Sequence, residues 1–417
     1  MKSRNYLENK MSVSKIKVSL DFGASVIEVG TLIEQNNSFY FRFESSFLDK
    51  KIEISPIKLK NTKEITACPK EPFDGLFGVF SDSIPDGWGR LLLDRKLIQK
   101  GINPKEISAL DRLSFVGKSA QGALIYEPYD NENETFNSAF DLDKIANEST
   151  EILKNGSSSY LDDLYHMGGN SVGARPKIIV NYSEKNNQFN SEVTADFEPW
   201  IIKFSALNDL EDSAKIEYAF SLMALRCGIE MHPSKLFWSE KGRYFFGTKR
   251  FDRVKNKRLH FHSACGLLHD NFRYSTMDYG HVMDAANKLE KNIQACEKVF
   301  RLAVFNVFAN NMDDHSKNLG FLMDETGNWK FAPAYDLTFS PARGNYQSLS
   351  IASNYQNVGT NELMKLADYF DIKKAKEIIA EVKESLSKWK SISVELDINK
   401  KESSLVEKAI ERKLRND

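Results

Sequence analysis

Residues Asn306–Ser340 read NVFANNMDDHSKNLGFLMDETGNWKFAPAYDLTFS, and this stretch decides the fold. Its first residues close a helix, CEKVFRLAVFNVFANN, whose apolar residues recur three and four apart. Just past that helix stand Asp313 and Asn318, five positions apart. Two short apolar runs follow, Leu319–Met323 and Trp329–Ala332, flanking the turn DETG in the pattern of a hairpin. The hairpin leads to Asp336. Oxygen donors of this kind suit a hard divalent cation beside phosphates. The same residues also read as a solvated helix cap, or as Asp313, Asp314 and His315 ligating some other metal.

Working outward, D-x-x-x-x-N followed by a hairpin and a second Asp has the spacing of a kinase catalytic loop. In that reading Asp313 accepts the proton of the acceptor hydroxyl, and Asn318 and Asp336 hold magnesium. Lys203 lies in WIIKF, one cation on an apolar strand, where a kinase carries its phosphate-binding lysine. Glu217 falls 14 residues later on the next helix, placed to pair with it. Taken singly, Lys203 also reads as an edge-strand lysine in water, and any helix offers a glutamate. Upstream, MGGNSVGARPK (Met167–Lys177) carries Gly168, Gly169 and Gly173, a loop whose backbone can approach phosphates closely. It departs from both G-x-G-x-x-G and the P-loop, and a plain hairpin turn is its bland alternative. Lys249–Arg253 (KRFDR) ends the last strand before the helical part, where a two-lobed kinase places its adenine hinge. The order of these parts, more than any one of them, carries the reading.

Composition leaves room for this and excludes other classes. The chain has 417 residues, 41% hydrophobic and 28% charged, an ordinary globular balance. A formal net charge of -1 gives no bulk reason to expect nucleic acid or a membrane as direct partner. Cys68, Cys227, Cys265 and Cys296 lie far apart without a CxxC pair, which argues against a zinc or redox motif and for free thiols. Met1–Lys10 is polar and charged, and no run of about 18 apolar residues occurs. The expectation is a soluble, cytoplasmic protein.

The periodicities predict an α+β chain. Lys17–Phe22, Val26–Glu34 and Ser38–Phe43 read as strands, with Asn36-Asn37 as hairpin-turn material. A helix is predicted from Trp88 to Gln99, stopped by Gly101. Tyr129–Ser159 is polar and turn-rich and marks a boundary, although Leu142, Ile145, Ile152 and Leu153 give it one amphipathic piece. Pro176–Tyr182, Phe197–Phe204, Lys235–Trp238 and Tyr244–Phe251 read as a second set of strands, with a helix over Asp212–Cys227 between them. From Tyr274 onward the pattern is mostly helical. The units expected are 1–128, a connector 129–160, a β-rich lobe 161–253 and a helical lobe 254–417.

Seven segments resemble the HipA family, the kinase toxins of bacterial toxin–antitoxin pairs. They are SDSIPDGWGRLLLDR (Ser81–Arg95), LDRLSFVGKSAQGALIYEP (Leu110–Pro128), GGNSVGARPK (Gly168–Lys177), WIIKF, KRFDR, DDHSKN (Asp313–Asn318) and FAPAYD (Phe331–Asp336). The resemblance implies a two-lobed protein-kinase-like α+β fold preceded by an extra amino-terminal β unit. It implies ATP held by Val172, Gly173, Ala174, Arg175, Pro176 and Lys177, by Lys203, and by Lys249, Arg250 and Phe251. It adds His315, Ser316, Lys317 and Asn318, then Tyr335, Asp336, Leu337 and Thr338. Magnesium, a Ser/Thr target among translation proteins such as an aminoacyl-tRNA synthetase, and growth arrest are implied with them. So is a HipB-like helix-turn-helix antitoxin through which operator DNA would be contacted. Self-phosphorylation in the Gly-rich loop is implied too. With Gly173 fixed in register the modified position falls on Asn170, so the expected serine is its neighbour Ser171. Two alternatives stand beside this: a silent homologue acting as co-repressor with its antitoxin, and a kinase acting on lipid or small molecules.

Overall fold

The computed structural model describes residues 13–129, 140–190, 196–340 and 346–415 of the chain. The polar Met1–Lys10 and the Asn-rich part of the expected connector therefore lie outside the described residues.

The first sheet is antiparallel, in the order Thr66–Ala67, Ser38–Phe43, Val26–Gln35, Lys15–Asp21, Leu124–Glu127. Asn36 and Asn37 turn the hairpin between Val26–Gln35 and Ser38–Phe43 at φ +53° and +55°, the left-handed pair that an Asn-Asn turn tolerates. Leu124–Glu127 closes the sheet against Lys17–Leu20, a non-local pairing that no periodicity announces. A helix at Ala109–Val116 also escaped the periodic reading. Its start is written in the sequence, however, because Ser108 and Asp111 cap each other's backbone reciprocally.

The second sheet runs Gln188–Asn190, Lys177–Ser183, Glu198–Lys203, Tyr244–Lys249, Ser234–Trp238, again antiparallel. Across it lies the helix Ser213–Arg226, with Ile216, Ala219, Phe220 and Met223 buried as their spacing predicts. Gly228, at φ +79°, lets the chain leave that helix. The expected connector contains a helix, Leu142–Asn155, N-capped by Asp141 and ended by Gly156 in the left-handed region.

The third part is helical, as predicted, but not wholly so. Its helices include Tyr279–Glu290, Ile293–Phe308, Thr360–Tyr369, Ala375–Leu386 and Lys400–Arg415. The hairpin Gly320–Met323/Trp329–Phe331 has gained a third strand, His260–Ser263, and Tyr346–Ile351 pairs with Asn354–Gln356. Both additions are short strands whose partners are distant or irregular, so local pattern could not reveal them.

Apolar packing fixes where the site lies. The first sheet shares one continuous core with the helical part, joining Leu20, Phe41 and Phe80 to Phe300 and Phe305, and Phe220 of the helix Ser213–Arg226 packs into it as well. The second sheet has its own core, and Trp88 and Leu92 of the helix Gly87–Gln99 enter it. The first unit thus touches both lobes. Polar contacts add to this: Asp252 takes two bonds from Arg250 at 2.9 and 2.7 Å, one from Arg253 at 2.7 Å and one from the Gly122 N–H at 2.7 Å. Elsewhere on that seam the His262 ring links Ser55 (3.0 Å) to Asp82 (2.7 Å). The four cysteines form no disulfide, and no helix among the described residues is long and apolar enough to cross a membrane.

Candidate active site

A cleft of about 900 Å³ opens between the second sheet and the helical part. That is at the upper end for a small-molecule or cofactor site. Strand pairing sets its upper wall. Lys177 and Lys203 are cross-strand partners, so two ammonium groups stand side by side on one face. Lys203 Nζ lies 2.5 Å from Glu217 Oε1 and 2.5 Å from Asp336 Oδ1. Glu217 reaches it from the helix Ser213–Arg226, and Arg175 approaches the other Glu217 oxygen at 3.7 Å while pairing with Asp209 at 3.2 Å.

Electrostatics here is a contest between burial and pairing. Burial disfavours the charge on Lys203, but Asp336 and Glu217 outweigh it and hold the ammonium above its usual range. Burial likewise opposes ionisation of Asp336, yet Lys203, Lys177 and Arg175 keep its carboxyl well below the usual range. For Lys177 burial prevails, and its ammonium is pushed down to about 8. Asp336 has φ +57°, a left-handed conformation that Asp tolerates better than most residues and that turns the chain sharply after the hairpin.

The lower wall carries the residues read from Asn306–Ser340. Asp313 lines the cleft, as do His315, Lys317 and Asn318. The Asn318 amide nitrogen donates to the Asp313 carbonyl at 2.8 Å, which leaves its oxygen as the atom able to ligate a cation. Asp314 is turned away and buried. It accepts from Tyr279 Oη (2.9 Å), Gln347 Nε2 (3.0 Å) and the Ser348 N–H (2.8 Å). Ser316 is buried beneath the loop, donating to Asp270 at 2.5 Å, and does not line the cleft; nor does Pro176.

The remaining expected positions do come together. Val172, Gly173, Ala174 and Arg175 overhang the cleft, and Lys177 Nζ donates to the Val172 carbonyl at 2.5 Å. Lys249, Arg250 and Phe251 sit at one end, where the Phe251 ring meets Tyr335 at 5.3 Å between centroids. Tyr335, Asp336, Leu337 and Thr338 line the floor. Ser171 is buried, and its hydroxyl donates to the Gly168 carbonyl at 2.6 Å.

Sequence reading assigned no role to Asp86, Asp82, Asp209 or Phe272, all of which line the same cleft. Asp86 stood in plain view in the turn-forming Pro85-Asp86-Gly87. Nothing local, however, connects residue 86 to residue 317.

Among the described residues no cluster of three His, Cys, Asp or Glu could enclose a metal. The Asp336 carboxylate and the Asn318 amide oxygen nevertheless fit a magnesium ion, which takes few protein ligands and completes its shell with phosphates and water.

A glycine loop and a lysine braced by a helix carboxylate, set across a cleft from an Asp…Asn loop and a second Asp, define a two-lobed kinase-like fold. Residues 22–127 match the HipA N-terminal domain, and residues 170–389 match the HipA-like C-terminal domain. The chain belongs to the HipA family. Among solved structures it is similar to HipA of Shewanella oneidensis MR-1, determined in complex with HipB and operator DNA. That similarity has a TM-score of 0.64 at 15% identity, covering 96% of each chain. A weaker likeness, TM-score 0.37 at 13% identity over 52% of this chain and 87% of the other, is to the Helicobacter pylori proinflammatory kinase CtkA. No curated protein matches the sequence.

Proposed function

We propose that this chain is an active HipA-type toxin kinase that transfers the terminal phosphoryl group of ATP to a Ser or Thr of a protein. The observation that carries the reading is the pairing of Lys203 with both Glu217 and Asp336 above a cleft lined by Asp313 and Asn318. A silent homologue has no chemical need to keep all five groups in register.

Phosphoryl transfer asks a protein for position and charge more than for covalent chemistry. Glu217 fixes Lys203 so that its ammonium can meet phosphate oxygens, and Lys177 adds a second positive charge beside it. Val172–Lys177 roofs the triphosphate, while the adenine end rests toward Lys249–Phe251. Asp336 and Asn318 hold the divalent metal, which when bound neutralises charge on the phosphates. Asp313 orients the acceptor hydroxyl and takes its proton. Ser171 is the candidate for self-modification, which requires its buried hydroxyl to leave Gly168 first. Two added negative charges there would repel bound phosphates.

By the company that the Shewanella protein keeps, a HipB-like antitoxin and, through it, operator DNA are the proposed partners. The proposed setting is cytoplasmic, and the proposed target is a translation protein such as an aminoacyl-tRNA synthetase. Units 1–128, 129–160, 161–253 and 254–417 are the proposed division.

The test is a labelled-phosphate transfer assay with purified protein, cell lysate and Mg-ATP, with Asp313→Asn in parallel. Wild type should label Ser or Thr of a lysate protein, and Asp313→Asn should bind ATP but lose transfer by about 10²-fold or more. Equal transfer by both proteins contradicts the assignment, and label on lipid or small molecules alone moves it to another kinase class. Mass spectrometry of the same samples reads whether Ser171 is modified.

A further inference from the structure

Asp86 is the N-cap residue of the helix Gly87–Gln99, yet its side chain caps nothing in that helix. An aspartate in that position ordinarily accepts a backbone N–H of the first turn. Here the carboxylate is turned across the cleft instead. One oxygen accepts the Gly173 N–H at 2.5 Å, and the other pairs with the Lys317 ammonium. Its neighbours hold the same loop: the Trp88 N–H donates to the Gly173 carbonyl at 2.9 Å. Gly87, at φ +47°, permits the approach, because a Cβ there would lie 2.5 Å from the Gly173 oxygen.

The two donors held by Asp86 have something in common. One is a Gly-loop N–H and the other a catalytic-loop lysine, on opposite sides of the phosphate end of the cleft. Both are groups that bind a triphosphate by charge-assisted hydrogen bonds. Although burial resists the charge, Lys317 and the Gly173 N–H keep the Asp86 carboxyl below its usual range, so it is an anion at neutral pH.

We propose that Asp86, delivered by the amino-terminal unit, is an internal competitor for the terminal phosphate of the nucleotide. ATP must take Gly173 and Lys317 from it in order to bind. This rests on the kinase reading above, and it makes the first unit a setting on nucleotide affinity. Displacing Asp86 loosens the contact between that unit and the Gly loop.

Calorimetric titration of the full chain with ATP, ADP and adenosine, each with magnesium, tests this in wild type, Asp86→Asn and Asp86→Glu. Asn keeps an oxygen for the Gly173 N–H and removes the charge, whereas Glu keeps the charge. Asp86→Asn should bind ATP roughly tenfold tighter, the size of one screened like-charge contact, with a smaller gain for ADP. Adenosine should be unaffected, and Asp86→Glu should show no gain. A thermal melt within a few degrees of wild type qualifies each variant. Equal or weaker ATP binding by Asp86→Asn overturns the proposal, and so does an equal gain for adenosine, which would indicate general loosening. A wild type that binds no nucleotide overturns the kinase reading along with it.

Discussion

The Tyr279 hydroxyl donates to the Asp314 carboxylate at 2.9 Å, and that bond separates two adjacent aspartates into different occupations. Asn306 in turn donates to the Tyr279 oxygen at 2.9 Å, and Asn311 to Asn306 at 2.9 Å, so Asp314 sits at the head of a buried polar chain behind the cleft. Asp313, its neighbour, lines the cleft. One carboxylate braces the loop and the other faces the cleft.

Asp314→Ala should therefore destabilise the fold far more than Asp313→Ala. It orphans three buried donors, which costs on the order of 3 kcal/mol or more. Urea unfolding of the two variants checks this, and similar midpoints for both would refute the division of roles.

Nucleotide affinity should fall as pH rises above 8. Burial lowers the Lys177 ammonium to about 8, beneath the roughly 10.4 of an unfolded lysine, so the folded chain sheds that proton first. By the same linkage, stability gains from this residue as pH climbs between those two values. Lys177→Arg keeps its charge and should retain ATP affinity to about pH 9.5. A wild-type Kd that stays flat between pH 7 and about 9.5 removes Lys177 from phosphate binding.

The Asp336 carboxyl is held below its usual range against burial, chiefly by Lys203. Its contribution to stability is present above the unfolded carboxylate value of about 3.9 and is lost only as pH falls through the lower folded value. The pairing is thus intact at neutral pH, and metal is the more informative variable. Chelating magnesium should weaken ATP binding by wild type. In Asp336→Asn, affinity should start lower and respond little to chelator. Full chelator sensitivity in that variant would show that the metal is held elsewhere.

Asp252 is the buried anion between Arg250, Arg253 and the Gly122 N–H of the first unit. Removing it takes the shared buried counter-ion from Arg250 and Arg253, so Asp252→Ala should cost roughly 3–5 kcal/mol. The loss should appear as earlier chemical denaturation and as faster proteolysis of the first unit. If Asp252→Ala unfolds with the wild-type midpoint, Asp252 does not hold the seam.

Much of this protein was legible in order along the chain. Alternation over Lys15–Phe43, the apolar stripe of Ser213–Arg226, and the Asp313…Asn318…Asp336 spacing are local signals, each produced by the residues that carry it. They set the α+β class and the two lobes, and nearly all the site residues singled out from them and from the family resemblance line the cleft. The exceptions among the predicted site residues, Pro176 and Ser316, belong to runs carried over whole from the resemblance, and backbone direction turns alternate residues away. What tertiary structure alone decided is the meeting of distant segments. Leu124–Glu127 joins a sheet begun a hundred residues earlier, His260–Ser263 adds a strand to a hairpin, and Asp86 crosses to Lys317. Periodicity reports which face of an element is apolar, because that depends on neighbours within a turn or two. It holds no record of which distant donor a lone charged side chain will meet, since that is set by how the apolar faces pack once the whole chain has collapsed.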